Sequence, residues 1–343
     1  MADSPRGRLR AAVVGTGLIG GSILLRLHEA GLDVVGWDPD QATRAAGRER
    51  GVAFPDELGE AVRDRDVVFL CGPLPSLPET LLSAVRHTRD ECVLTDVGST
   101  KGAVAAFAAA HGLTDRFVPG HPMAGTERSG ITAAVPALFA GAAWVLCPAA
   151  EGIGPFRMLS SLIVDVFDAR VVPMSPTVHD SVVALASHIP HLLAGSLAGA
   201  VAGSDVTDAV LGLAAGSFRD GTRVAGTPAR RTANMLLDNR EQVVRQLGQV
   251  SAFLDGLAAA LRARDDDALV ALLQRAQGLR TAFLDRDLLA HRREFPADGD
   301  HRAEVAYLMG LGAAGGYLTG CRIDGDRVGY TGHLPPAAPA DVR

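Results

Sequence analysis

Lysine is almost missing from this chain. Of its 33 basic residues one is a lysine, Lys101, and the rest are arginine. Solvated sites often accept either cation, so a single retained ammonium marks a position to follow. Cysteine is scarce as well. Cys71, Cys92, Cys147 and Cys321 are scattered without paired ligand spacing. That excludes a disulfide framework and argues against a metal site, and it fits reduced thiols in the cytoplasm. A basic excess is lacking too: the net charge is −6, which leaves no footprint for nucleic acid. No apolar signal core follows the opening Met-Ala-Asp-Ser-Pro-Arg. Two uncharged stretches, 129–150 and 181–204, are broken by Pro136 and Pro148 and by His188, Pro190 and His191. Both read as buried core rather than membrane spans, the first as a helix followed by a strand.

What is present is a globular composition. The 343 residues are 48% hydrophobic and 21% charged, enough for two or three domains with a real core. In the first half, apolar runs alternate with helical stretches: 9–14, 32–37, 67–71, 92–97, 143–147 and 170–172 read as strands. Buried strands separated by helices imply a doubly wound, mainly parallel α/β sheet. From about Ser175 the apolar spacing becomes helical, as in 234–261 and 266–284. A domain boundary near 174 follows, with an all-α domain over 175–290. Its apolar surplus predicts a homodimer through that domain. Residues 291–343 are Gly-rich, end in PPAAPADVR, and read as a partly irregular extension with a frayed tail.

The segment Gly15-x-Gly17-x-x-Gly20 follows the first strand and opens a helix. In that setting Gly15 permits the tight turn and Gly17 a close approach of backbone to a pyrophosphate. Gly20 permits helix–strand packing, and the helix N-terminus favours the anion. Leu18 and Ile19 lie in the same turn, and Gly72 and Pro73 end the third strand, so all are candidate cofactor contacts. Asp38 ends the second strand, where a carboxylate accepts ribose hydroxyls and repels a 2′-phosphate, favouring NAD over NADP. Arg44 lies nearby as a moderating cation. Three further clusters stand out: Asp96-Val-Gly-Ser99-Thr-Lys101, Gly120-His121-Pro122 through Thr126-Glu127, and Gly216-Ser-Phe-Arg219-Asp220-Gly-Thr-Arg223. The first two fall at strand ends, where open α/β sheets bind ligands. A cleft between the domains would bring all three together.

GLIGGS, DVGSTK, GHPMAGTERSG, SHIPH and FRDGTR together resemble the prephenate dehydrogenases of tyrosine biosynthesis, over roughly residues 9–285. The resemblance implies a Rossmann domain followed by a helical dimerisation domain. It also implies NAD-dependent oxidative decarboxylation of prephenate to hydroxyphenylpyruvate, or the arogenate reaction, or an amino-deoxyprephenate variant. His121 then matches the catalytic His, whose ordinary pKa suits it to take a proton near neutrality. Ser99 matches the Ser that contacts the same substrate hydroxyl, and as a residue before a helix it also reads as an N-cap. Arg223 matches the Arg that binds the ring carboxylate, its planar fork suited to bidentate pairing. His191 lines the substrate pocket on this reading, and His188 is a structural hydrogen-bonder. Pro190 between the two His, with no nearby Cys or carboxylate, argues against a metal. Thr126 and Ser129 match pocket or loop positions. Lys101 occurs in the family motif, either as a charge near substrate or cofactor or as a loop pin through Asp96 or Glu127.

One departure is visible. Many members carry a Trp three residues beyond the Pro that follows the Arg cluster. Here Pro228 leads to Ala229, Arg230 and Arg231, so one of these arginines is available to meet the side-chain carboxylate. A β-hydroxyacid dehydrogenase would be expected to carry a catalytic Lys in its helical domain, and no Lys exists there. The fifty-odd residues beyond the last clear helix show no alternating βαβ pattern, so a regulatory ACT domain is not expected.

Overall fold

The computed structural model describes residues 9–126 and 128–336. They form two compact units, one running to His179 and including Ala290–Leu334, the other Asp180–Leu289.

The first unit begins with β1 (Arg10–Val14), α1 (Leu18–Glu29), β2 (Asp33–Trp37), α2 (Gln41–Glu49) and α3 (Leu58–Val62). It continues through β3 (Val67–Leu70), α4 (Leu77–Val85), β4 (Val93–Asp96), α5 (Gly102–Ala110) and β5 (Phe117–Val118). The five strands are parallel in the order β2-β1-β3-β4-β5. Strand β3 reads VVFL and is wholly buried, as a sheet covered on both faces requires. Ile23, Leu24 and Leu27 of α1 cover one face, and Leu77, Leu81 and Val104 of α4 and α5 cover the other. Strand order reverses between β1 and β3, which puts the Gly15 loop at the switch point where such sheets take ligands.

The chain then forms β6 (Gly120–Pro122), β7 (Ala143–Leu146), α6 (Ile153–Phe167) and β8 (Arg170–Pro173). The helix expected within 129–150 is instead two 3-10 turns, Ile131–Ala133 and Pro136–Phe139. Gly130 enters with φ 82° and Pro136 lacks an N–H, so a continuous helix has nothing to propagate through. Helix α7 (Pro176–Val183) crosses the boundary between the units, which falls after His179.

The second unit is helical. A π turn, Ala184–His188, leads into α8 (Ile189–Ala202), α9 (Thr207–Leu213) and α10 (Gly216–Thr222). After a 3-10 turn, Arg223–Gly226, come α11 (Ala229–Asp238), α12 (Arg240–Ala263) and α13 (Asp266–Leu284). Its buried core is small, built on Ala184, Ile189 and Val243. Leu213, Leu237, Val244, Leu261, Leu279 and Phe283 are all exposed. The run Pro176–Ala202 is long and apolar enough to cross a membrane by length and composition. It also carries buried His179, Asp180 and His188. The expectation that 181–204 is buried core is corrected: Val182, Leu185, Leu193 and Leu197 are exposed in the single chain.

The last segment differs most from expectation. It forms β9 (Leu289–Pro296), α14 (Arg302–Ala313), β10 (Tyr317–Asp324) and β11 (Arg327–Leu334). These strands extend the second sheet to the order β6-β7-β8-β10-β11-β9. The reading of 291–343 as partly irregular, without a β/α pattern, is therefore corrected for residues up to 334: they belong to the first unit. The anchor is a buried polar cluster. Arg157 of α6 donates Nε to Glu304 Oε1 at 2.9 Å and Nη2 to Oε2 at 2.6 Å, and Tyr330 donates its hydroxyl to Oε1 at 2.6 Å. Burial first, then the neighbouring Cys321 and Glu304, push the Tyr330 hydroxyl far up in pKa, so it stays a donor. Gly312 is obligatory, since a Cβ there would lie 1.7 Å from the Pro173 carbonyl oxygen. Residues 337–343, part of the expected tail, lie outside the described residues.

Candidate active site

The Gly15 loop is shaped as the motif requires. Gly15 has φ 88°, and a Cβ on it would sit 2.8 Å from the Gly72 amide nitrogen. The loops after β1 and β3 therefore touch, which brings Gly72 and Pro73 beside the motif. A Cβ on Gly20 would lie 1.9 Å from the Gly15 carbonyl oxygen, whereas one on Gly17 would meet nothing within 4 Å. Gly17 faces open space, and no side chain caps the N-terminus of α1. Open backbone, an uncapped helix end and a local positive potential fit a pyrophosphate. Asp38 accepts hydrogen bonds from the Thr16 amide to Oδ2 at 2.7 Å and from the Asp40 amide to Oδ1 at 3.0 Å. Its carboxylate is thus held next to the glycine turn. Arg44 is occupied: Nη1 donates to the carbonyls of Asp38 at 2.7 Å and Pro39 at 3.2 Å.

Asp96, at the end of β4, organises the next loops. It is fully buried and accepts from the Gly98 amide to Oδ2 at 2.8 Å and the Gly120 amide to Oδ1 at 3.1 Å. The Lys101 ammonium pairs with the same carboxylate and donates to the Gly120 carbonyl at 2.7 Å. Lys101 is fully enclosed. The expectation that it contacts substrate is therefore corrected: its ammonium is spent inside the protein, tying the β4 loop to the strand that carries His121. The other proposed partner, Glu127, lies outside the described residues.

His121 sits on β6, opposite Val145 of β7. Its Nδ1 is 2.9 Å from Nε2 of His179, and the two rings meet edge to face. His179 is fully buried on α7. Ser99 is half-buried in the loop between Asp96 and Lys101. The N-cap of α5 is Lys101, with no side-chain cap, so the capping role weighed for Ser99 is not the one it has. Thr126 is exposed and accepts from the Arg128 amide at 3.2 Å, as a turn residue does; Ser129 is exposed as well.

In the helical unit His188 is buried, with Nδ1 3.2 Å from the Asn239 side-chain nitrogen, which also donates to the Asp180 carbonyl at 2.8 Å. His191, in the first turn of α8, is half-buried. Burial first, then the charges of Arg231 and Arg223, lower its pKa, against an opposing hydrogen bond to the Val224 backbone. Among the described residues no group is arranged as a metal site.

These features meet independent comparisons. Residues 23–172 match the family described as prephenate dehydrogenase, nucleotide-binding domain, and residues 175–275 that described as prephenate dehydrogenase, dimerization domain. The chain is 30% identical to a cyclohexadienyl dehydrogenase of Zymomonas mobilis, over 81% of this chain and 97% of that protein. It is 32% identical to a prephenate dehydrogenase of Bacillus subtilis, over 78% of this chain and 74% of the relative. A solved arogenate dehydrogenase from Synechocystis superposes with a TM-score of 0.70 at 29% identity, covering 80% of this chain and all of that one.

The chain belongs to the prephenate dehydrogenase family. As a member it is a dehydrogenase with a nucleotide-binding domain followed by a helical one. Two residues that the structure places at the candidate site were not legible in the sequence. Thr16 offers no signal beyond its place between two motif glycines. His179 lies 58 residues from His121, and nothing local in the sequence pairs them. Asp96 takes the place weighed for it as the partner of Lys101, and the structure adds that it also accepts from the Gly98 and Gly120 amides.

Proposed function

We propose that the chain catalyses the NAD-dependent oxidative decarboxylation of prephenate to hydroxyphenylpyruvate, as a cytoplasmic homodimer built through its helical unit. The observation that carries the reading is the contact between His121 Nδ1 and His179 Nε2 at 2.9 Å, on a strand pinned by Asp96 and Lys101. With Nδ1–H donating to His179, the basic lone pair of His121 is on Nε2, in a fixed ring orientation. That nitrogen takes the proton of the ring hydroxyl, and Ser99 orients the same hydroxyl. When bound, NAD accepts the hydride from the carbinol carbon. The ring carboxylate leaves as carbon dioxide, its bonding electron pair makes the ring aromatic, and the ring oxygen regains the proton from His121. Before that step Arg223 holds this carboxylate by its planar fork.

NAD rather than NADP is supported by Asp38, whose carboxylate faces the glycine turn, and by Arg44, which is committed to backbone carbonyls. A homodimer is supported by the exposed apolar side chains of the helical unit and by the dimerization description of the matching family. The second reading is an arogenate dehydrogenase, favoured by the likeness to the Synechocystis protein. NADH formation from each substrate tests both. A protein that binds NAD but turns over neither substrate, with His121→Asn leaving binding unaltered, would instead be a nucleotide sensor.

A further inference from the structure

The motif GLIGGS contains two residues that the nucleotide turn does not explain. Gly21 and Ser22 lie inside α1, where both residue types are poor helix formers. Gly21 has no positive φ, so its backbone does not demand glycine. Its packing does, because a Cβ there would lie 2.8 Å from the Ala134 Cβ and 3.3 Å from Ile131 Cγ1. Ser22 is fully enclosed. Its hydroxyl donates to the Leu18 carbonyl at 2.7 Å and accepts from the Val135 amide at 3.0 Å. Arg50, at the end of α2, adds Nη1 to the Ala134 carbonyl and Nη2 to the Thr132 carbonyl, both at 3.3 Å. The 3-10 turn Ile131–Ala133 and the two residues after it are thus moored to α1, whose first residue is Leu18. The other end of this strap leaves the His121 strand at Pro122, where the Met123 amide donates to the Ala143 carbonyl at 2.8 Å. Between the two anchors Gly125, Thr126, Arg128, Ser129 and Gly130 are exposed.

We infer that Gly21 and Ser22 are positioning residues for the substrate. They moor the strap that leaves the His121 strand to the helix that meets the nucleotide, so that substrate affinity depends on a bound nucleotide. The inference rests on the dehydrogenase reading above and deepens it. A pyrophosphate at the opening of α1 orders the first turn, and with it the Leu18 carbonyl that accepts the Ser22 hydroxyl. The same hydroxyl is the acceptor of the Val135 amide, so one buried oxygen joins the nucleotide turn to the far end of the strap. The bare face of Gly21 supplies the packing half of the joint by admitting Ala134 and Ile131. Such a coupling is reciprocal: a nucleotide that firms the strap gains affinity when substrate holds the strap in place. Every residue of the joint belongs to the first unit.

The test uses the full-length protein as wild type, Ser22→Ala, Gly21→Ala, Ala134→Gly and the double variant Gly21→Ala/Ala134→Gly. Steady-state kinetics with prephenate, fluorescence titration with NAD and amide hydrogen exchange are measured on each. In Ser22→Ala and Gly21→Ala the KM for prephenate rises at least about fivefold, with kcat within about threefold of wild type. The Kd for NAD alone stays within about twofold. The double variant removes the overlap of the two Cβ atoms and recovers a KM within about twofold of that of Ala134→Gly. The Val135 amide exchanges at least about tenfold faster in Ser22→Ala, and in wild type NAD slows it. An unmoved KM in both single variants, a rise in the NAD Kd equal to the rise in KM, or no recovery in the double variant overturns the joint. A wild-type protein that does not turn over prephenate overturns the functional reading instead. In that case slowing of Val135 exchange by NAD in wild type but not in Ser22→Ala still supports the joint, and exchange indifferent to NAD overturns it.

Discussion

Replacing Lys101 by Met separates a structural ammonium from a substrate-binding one. Lys101 and Asp96 are both fully buried, and their pair joins the β4 loop to β6. Removing the cation leaves the Asp96 carboxylate buried with the Gly98 and Gly120 amides among its remaining donors. Breaking one side of a buried pair costs about 3–5 kcal/mol, and two surviving donors put this case near the lower end. For a unit of roughly 200 residues that is a fall in Tm on the order of 6–12 °C. Gly120 immediately precedes His121, so turnover falls along with stability. The charge-neutral double variant Asp96→Asn/Lys101→Met should recover much of the Tm, because it leaves no buried charge uncompensated. Lys101→Arg should also be impaired, since a guanidinium has a different shape in a site with no exposure. Differential scanning calorimetry with NADH assays reads both effects. A Tm for Lys101→Met within about 2 °C of wild type would refute the reasoning, because a buried carboxylate cannot lose its cation that cheaply.

Three further outcomes follow from the geometry. Gly20→Ala places a Cβ 1.9 Å from the Gly15 carbonyl oxygen and should weaken NAD binding at least about tenfold by distorting the turn; fluorescence titration with NAD checks it. His179→Phe keeps ring volume and deletes the partner of His121 Nδ1, so kcat should fall about 10–100-fold and its pH profile change, with NAD affinity retained; a loss of stability alone with an unaltered pH profile would assign His179 to packing. Glu304→Gln breaks the paired contact with Arg157 and should destabilise the first unit by about 3 kcal/mol, read from denaturant midpoints.

Much of the fold was legible because its signals are local. The run VVFL, the spacing of Gly15, Gly17 and Gly20, and the change of period after Ser175 each need only a short window. The C-terminal strands were not legible for a matching reason. Strand β9 reads LAHRREFP and exposes most of its residues at the sheet edge, so it lacks alternation. Strand β10 carries a register shift between Leu318 and Gly320. Burial of Glu304 is explained only by Arg157, far away in the chain. The site divides in the same way. The motif residues could be picked out by their local spacing, but the use of Lys101 depends on what encloses it, and the partner of His121 depends on where α7 lies. The apolar run 181–204 was recognisable as apolar, while its outward face in the single chain was not, since composition does not say which side of a helix is packed.

The most direct measurement is NADH formation by the full-length protein with prephenate, NAD and, in parallel, the His121→Asn variant. The wild-type chain should turn over prephenate with release of carbon dioxide. The variant should lose about 10²-fold or more in kcat, with NAD binding intact. NAD binding without turnover of prephenate, or equal rates from the two proteins, would contradict it.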